Sequence, residues 1–474
     1  MASFLPGRHR MRQFLVAGSL ALLVGGTPAP AQGIDENLVV VDQAGADNRA
    51  DITQSGFGNV AGLEALPILQ DGFWNDLSIV QENANNRIAT EGAGLLQEGR
   101  FTTRSIHNAI SIEQRSNANV VGEVRQLSLG VVPNGANMLG IVQRGGDENR
   151  IDAVSQVQLG GQAPQQMELQ QTGAGNRIVR AAQTSLTTDR TEANVIRVTL
   201  AGDRNGQGAL LGVAALPALA SSTLVQEGGS IDMRGNGNFA ELIVTGDDTA
   251  FGIRQGGRLN SVGAVVVTGD LNAIGLRQDG DENDIVLAPV DGDLNEIGID
   301  QIGTNYAEVT LLDRASGNAV ALRQQGGADG FVFVEGNDNR IAVEQDFLGG
   351  LGGDNTTSVQ VTGAGNALEV QQAGRNRADV TVTGDANNSV GAFTAPGMPA
   401  LAVGLVKQDG FDNVVQIGLT GNRNAVAAMQ TGSLNLFDLV VTGDDNEALL
   451  LQSGSGNTAR VGQTGIGNRA SISQ

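Results

Sequence analysis

The stretch Gln452-Ser-Gly454-Ser-Gly-Asn457-Thr-Ala459-Arg460-Val461-Gly-Gln463-Thr-Gly465-Ile-Gly-Asn468-Arg469-Ala470-Ser-Ile472-Ser-Gln474 decides how this chain folds. Gln452, Gln463 and Gln474 stand eleven residues apart; Gly454 and Gly465 follow the first two by two residues, and Asn457 and Asn468 by five. Working backwards, Val441, Gln430, Leu419 and Gln408 keep the same interval, with Gly432, Asn435, Gly410 and Asn413 in phase. The unit reads Gln-x-Gly-x-x-Asn-x-apolar-x-apolar-x. It recurs near the start as Gln43-Ala-Gly45-Ala-Asp-Asn48-Arg49-Ala50-Asp51-Ile52-Thr53, followed by Gln54, Gly56 and Asn59.

Within one unit Asn48, Ala50, Ile52 and Gln54 share parity, while Arg49, Asp51 and Thr53 take the alternate positions. That period of two is the signature of a half-buried strand, with a neutral face turned in and a charged face turned out. The Gly-x-x-Asn segment supplies a tight corner: a residue free to take positive φ, and an amide that bonds to nearby backbone. Each unit is therefore strand, corner, strand. The expectation is an all-β fold, a parallel β-solenoid of ~22-residue coils made from ~11-residue strand-turn-strand half repeats, with coils stacked at about 4.8 Å. Proline cannot donate to such a ladder. Accordingly Pro67, Pro133, Pro164, Pro217, Pro289, Pro396 and Pro399 all fall where the spacing is stretched.

Residues 1–31 read as a secretory signal peptide: Arg8, Arg10 and Arg12, an apolar run from Phe14 to Gly26, then Ala29-Pro30-Ala31. The apolar run is too short for a comfortable membrane span, so no membrane insertion is expected. Residues 32–225 read as a loop-decorated, degenerate half, with the interval stretched between Gln54 and Gln70 and between Gln97 and Gln114. Residues 226–474 read as a regular half, in which Gln-type units alternate with Val-Thr-Gly-Asp units at Val244, Val267, Val382 and Val441. One sheet then stacks glutamines, the other mainly valine or leucine. Insertions at 206–222 and 391–406, rich in Ala, Leu, Val and Gly, are either protruding loops or flaps over an edge.

The leader holds three of the 29 basic residues and none of the 51 acidic ones, so its removal takes the net charge from −22 to −25. That disfavours nucleic acid and anionic membrane as partners. Cysteine is absent and aromatics are 3%, so neither disulfides nor a conventional core of large side chains stabilises the chain. Stacked amides are expected to substitute, with the ladder formed by Gln43, Asn48, Gln54, Asn59, Gln408, Asn413, Gln430, Asn435, Gln452, Asn457, Gln463, Asn468 and Gln474.

Gln-x-Gly-x-x-Asn-x-Ala with a further glutamine is the curlin repeat pattern, and the chain resembles a large, degenerate member of the curlin-repeat family of bacterial exported fibre proteins. Gln43 to Gln54 and Gln452 to Gln474 match best, and Gln278-Asp-Gly280-Asp-Glu-Asn283 keeps only the core of the pattern. The resemblance implies a secreted functional amyloid at the cell surface, self-associating into fibres for adhesion and biofilm matrix. It also implies export through an outer-membrane secretion pore with assembly factors. The chain departs from the family pattern by its many repeats, its valine-type units, its single tyrosine and its loops. A second reading is a monomeric β-solenoid adhesin that binds a ligand through its inserted loops.

Catalysis is not expected. Beyond the leader there is one histidine, His107, which the spacing places in a loop, one lysine, Lys407, and one tyrosine, Tyr306, so the usual nucleophile and base pairings are missing. Asp279-Gly-Asp281-Glu-Asn283 opens like a calcium loop but has Asp284 where glycine is required. Gly349-Gly-Leu-Gly352-Gly-Asp354 matches a calcium nonapeptide only once, and Val361-Thr-Gly363-Ala-Gly365-Asn366 lacks the third glycine of a dinucleotide loop. No organic cofactor is expected. Asp247, Asp270 and Asp293 each lie three residues after Val244, Val267 and Val290, so they should stack on consecutive coils. Like charges at that spacing need relief, from arginines, protons or a bridging Ca²⁺.

Overall fold

A computed structural model describes residues 11–14, 36–89, 94–100, 108–129, 137–159, 165–185, 193–216, 229–287, 289–312, 315–346, 355–389, 391–393 and 400–474. The expected loop around His107, the Gly349–Asp354 motif, Pro133, Pro164, Pro217, Pro396, Pro399 and most of the leader lie outside them. The fold is all-β, a parallel β-solenoid of about 16 turns repeating every ~23 residues. Among the described residues no helix is long and apolar enough to cross a membrane. They fall into two compact units, 1–208 with 227–248, and 209–226 with 249–474.

In the first unit one sheet runs from Leu38–Ala46 through Ile68–Phe73, Leu95–Gly99, Val120–Ser128 and Arg150–Gln158 to Arg177–Ser185 and Ser230–Asn236. The facing sheet runs from Arg49–Gln54 through Asn75–Gln81 and Asn108–Gln114 to Asn137–Gly145 and Gln171–Gly173. A short strand, Met11–Phe14, pairs antiparallel with Val40–Gln43. The stretched interval after Gln54 is a turn between Val60–Ala61 and Ile68–Phe73 that contains Pro67.

The second unit is more regular. One sheet stacks Ala250–Arg258, Ala273–Asp279, Glu296–Ile302, Ala319–Gln325, Arg340–Asp346, Ala367–Ala373, Leu405–Phe411, Ala425–Ser433, Glu447–Ser455 and Arg469–Ser473. Pairing is in register by repeat position, so Gln430 lies on Gln452 and Gly432 on Gly454. The strand Asn413–Thr420 alternates buried with solvent-facing positions along its length. This is the outcome the period of two dictates.

The corners impose the glycines. Gly443 has φ 116°, and a Cβ there would stand 2.0 Å from the carbonyl oxygen of Gly465 one coil on. Coils approach so closely at this point that only a bare backbone fits. In each facing sheet the matching inward position takes one of two forms. In the second unit it is Val334, Val361, Val382, Leu419 and Val441, all buried and in register, which is the expected valine and leucine stack.

The two insertions are partly described, and both lie down on the second unit. Gly212–Ala215 forms one 3-10 turn that buries Leu210 and Ala214 against Ala250. Ala392–Phe393 pairs antiparallel with Leu401–Ala402, and Leu401 packs on Ala427 and Leu449. Over these residues they are flaps rather than protrusions.

Candidate functional site: the axial amide ladders

Inward glutamines sit at the end of each strand, where the chain turns the corner, and their amides run along the stacking direction. In the first unit Gln43 Nε2 donates to Gln70 Oε1, and the series continues through Gln97, Gln126, Gln156 and Gln183 at 2.5 to 3.1 Å. The facing sheet holds a second series, Gln54, Gln81, Gln114, Gln143 and Gln171, at 2.7 to 2.9 Å. In the second unit one series links Gln255, Gln278, Gln301, Gln324, Gln345, Gln372, Gln408, Gln430, Gln452 and Gln474 at 2.8 to 3.2 Å. Each of these glutamines donates to the coil that follows it, except Gln171, Gln183 and Gln474, which end their series. Many also donate across the coil to a strand carbonyl, as Gln430 does to Val414 at 3.2 Å.

The corner asparagines work the other way along the axis. Asn413 Oδ1 accepts both the backbone N–H and the Nδ2 of Asn435 in the next coil, at 3.1 and 3.0 Å, while Asn413 Nδ2 donates to the Gly432 carbonyl at 2.9 Å. Asn48 and Asn59 do the same for Asn75 and Asn86. An asparagine is needed here because it supplies acceptor and donor from one short planar group.

The ladder residues read from the sequence thus fall into three separate sets. Gln43, Gln408, Gln430, Gln452 and Gln474 form axial links of one sheet, and Gln54 opens the series in the other. Asn48, Asn59, Asn413 and Asn435 hold corners. In the last coil Asn468 donates its backbone N–H and Nδ2 to Asn446 Oδ1, whereas Asn457 donates only its backbone N–H to Asn435 Oδ1 and turns its Nδ2 to the Ser453 carbonyl; both are half-buried. Arg460 and Arg469 turn outward. Gln463 stands apart: it follows Val441 in register, so its buried Oε1 has no donor.

Asp270 and Asp293 do stack on consecutive coils, but backbone already engages them. Asp293 Oδ1 accepts the Asp270 N–H at 2.8 Å, and Asp247 Oδ1 accepts the Asp203 N–H at 2.7 Å. Ser316, Asn337 and Asn422 take the same position elsewhere and accept the same amide. The position selects a side-chain oxygen, not a charge. Among the described residues no group of three or more histidine, cysteine or carboxylate side chains is placed to hold a metal ion.

The sequence does not announce the forked ion pairs, because they join residues a whole coil apart. Arg204 forks onto Asp248 at 2.5 and 2.7 Å, Arg375 onto Asp412 at 2.6 Å, and Arg423 onto Asp445 at 2.7 and 2.8 Å. The guanidinium hydrogen bonds hold all three carboxyls below their ordinary value of 3.8. Asp300 is the opposite case. Its side chain is 1% exposed beside Arg277, and burial raises it despite that arginine.

Two stretches of the chain, residues 45–82 and 443–474, match the family model of the curlin associated repeat. No curated protein matches the chain.

Proposed function

With the curlin associated repeat present at both of those stretches, we propose that this chain is a structural, non-catalytic subunit that self-associates into extracellular fibres by stacking coil on coil. The observation that carries this reading is the translational sameness of the ladders. Within each series a coil offers a glutamine donor on one side and a glutamine acceptor on the other, so a coil of a second copy is as good a partner as the chain's own; the first-unit series stops where Met233 follows Gln183 in register. Gln54 Oε1, in the first coil, is a buried acceptor without a donor. It stands where the glutamine of a preceding coil would donate, and an unfilled buried amide costs about 1–3 kcal/mol. Parallel strands with unpaired edges are ready templates for the same chemistry.

The signal peptide, passage through an outer-membrane pore and a role in surface adhesion and biofilm matrix belong to this reading. Its test uses the mature protein after leader removal, incubated at neutral pH. Thioflavin fluorescence, unbranched fibres by electron microscopy and a cross-β reflection near 4.8 Å are expected. Protein that stays monodisperse under these conditions would leave the monomeric adhesin as the better account.

A further inference from the structure

The facing sheet of the first unit breaks at two consecutive coils. Asn108–Gln114 pairs along its whole length with Asn75–Gln81 before it and with residues 137–143 after it. On the next coil only Gln171, Thr172 and Gly173 pair with Asn137–Gly145, and on the one after that only Val195, Ile196, Leu200 and Ala201 keep ladder partners. Residues 166–170 and 197–199 belong to no strand pair among the described residues. The opposite sheet is unbroken here, with Arg150–Gln158 paired to Arg177–Ser185 from end to end.

The backbone at the break is strained. Glu168 has φ 103° and Gln170 φ 47°, and on the next coil Val198 has φ 78° and Thr199 φ 153°. For β-branched residues such values are outliers. The inward side chains keep their places all the same: Met167, Leu169, Val198 and Leu200 are buried, so the core holds this stretch where the ladder does not. One corner shows a cause in the sequence. Gln165 stands six residues before Gln171, as Asn137 stands six before Gln143, where the series Asn75, Asn108, Asn137 calls for a further asparagine. Asn108 Nδ2 donates to Asn75 Oδ1 at 3.0 Å and Asn137 Nδ2 to Asn108 Oδ1 at 3.1 Å. There the series of bonds ends. Asn137 Oδ1 is buried without a donor, and Gln165, 1% exposed, has no partner for either its Oε1 or its Nε2. Glutamine is one methylene longer than asparagine, so its amide does not fall where the corner needs it.

We propose that these two coils are a built-in opening point: the facing sheet of the first unit parts between Asn137–Gly145 and Phe239–Thr245 ahead of the rest of the unit, with the opposite sheet as the hinge. Buried amides without partners gain bonds when water reaches them, and strained residues relax, so opening is favoured here and penalised at an intact coil. Such a seam lets one sheet give way without unravelling the coils on either side, and it bares the edges of Asn137–Gly145 and Phe239–Thr245 to a further strand. The proposal does not rest on fibre formation.

Hydrogen exchange of the freshly purified mature protein at neutral pH tests it. The discriminating amides are the ladder-bonded ones, because unbonded amides exchange fast in any case. Those of Asn137–Gly145 that bond to Asn108–Gln114 should exchange at least about tenfold faster than those of Asn75–Gln81, while those of Arg150–Gln158 stay protected. Gln165→Asn, which supplies the missing donor to Asn137 Oδ1, should slow the Asn137–Gly145 amides at least about tenfold and raise the melting temperature. Gln166→Asn, one residue along and half-buried, should do neither. Equal protection of Asn137–Gly145 and Asn75–Gln81 in the parent, or opening of Arg150–Gln158 together with Asn137–Gly145, would overturn the seam. So would unchanged exchange or a lower melting temperature in Gln165→Asn.

Discussion

Replacing Gln430 with leucine isolates what one rung of the ladder is worth. Gln430 is fully buried; it accepts from Gln408 at 2.9 Å and donates to Gln452 at 2.8 Å and to the Val414 carbonyl at 3.2 Å. Leucine has nearly the right volume and removes all three bonds. The Gln408 Nε2 then faces a methyl group and the Gln452 Oε1 loses its donor, two buried groups left without these partners. At about 1–3 kcal/mol each, the cost is about 2–6 kcal/mol, against which the added apolar burial returns about 1 kcal/mol. The facing sheet shows why the penalty belongs to the mismatch and not to leucine. There Leu419 stacks between Val382 and Val441 without orphaning anything. Urea titration of the freshly purified mature protein, with hydrogen exchange to localise the opening, measures the loss. A cost under 1 kcal/mol, or a comparable cost for Arg460→Ser at a side chain 74% exposed, would refute the account of these amides as obligate partners.

Asn435→Leu should cost as much as Gln430→Leu, because it strips the Nδ2 bonds to Asn413 and Gly454 and the Oδ1 that accepts the Asn457 N–H, while Asn457→Leu in the half-buried last coil should cost less, both read as urea midpoints. The forked pairs set the acid limb: Asp248, Asp412 and Asp445 have folded values below 3.8, so their contribution is complete above about pH 4 and lost as pH falls through the depressed values. Melting temperature should hold from pH 7 to about 5 and drop below about 4, less steeply in Asp445→Asn. Asp270→Asn with Asp293→Asn should leave both the melting temperature and the calorimetric heat of Ca²⁺ addition unchanged, since asparagine already accepts the same amide at Asn422. Gly443→Ala should cost at least about 2 kcal/mol by the same urea assay, from a left-handed corner and a carbonyl in the way of the methyl.

The repeat unit, the two-faced strands, the corner glycines and the division between a glutamine stack and a valine stack were legible because each follows from spacing and parity within eleven residues. Gln408, Gln430 and Gln452 could be placed on one column before any coordinate was known. What could not be read depends on contacts between coils. The pairing of Arg423 with Asp445 needs the coil length at that point, and the relief of Asp293 by the Asp270 amide needs the corner geometry. Composition alone left the insertions as loops or flaps. Only the clearance at Gly298 and the small Ala427 show where Val213 and Leu401 lie down. Gln463 is a reminder that a residue in perfect phase can lack its partner when the neighbouring coil switches type.

The opposed sense of the two amide sets bears on electrostatics at long range. Glutamine carbonyls point back toward the preceding coil, whose glutamine donates to them, and asparagine carbonyls point forward to the coil that follows. Their dipoles are therefore antiparallel along the stack. An α-helix sums its peptide dipoles into about half a charge at each end. In the first unit a coil brings two glutamines and two asparagines, such as Gln70 and Gln81 with Asn75 and Asn86, whose moments largely cancel; in the second a coil brings one glutamine against two asparagines, such as Gln430 with Asn435 and Asn446, while strand backbones add little. Lengthening a stack of the first kind does not build up field at its tips, so no capping ion is called for there by length alone, whereas each coil of the second kind leaves one asparagine moment uncancelled.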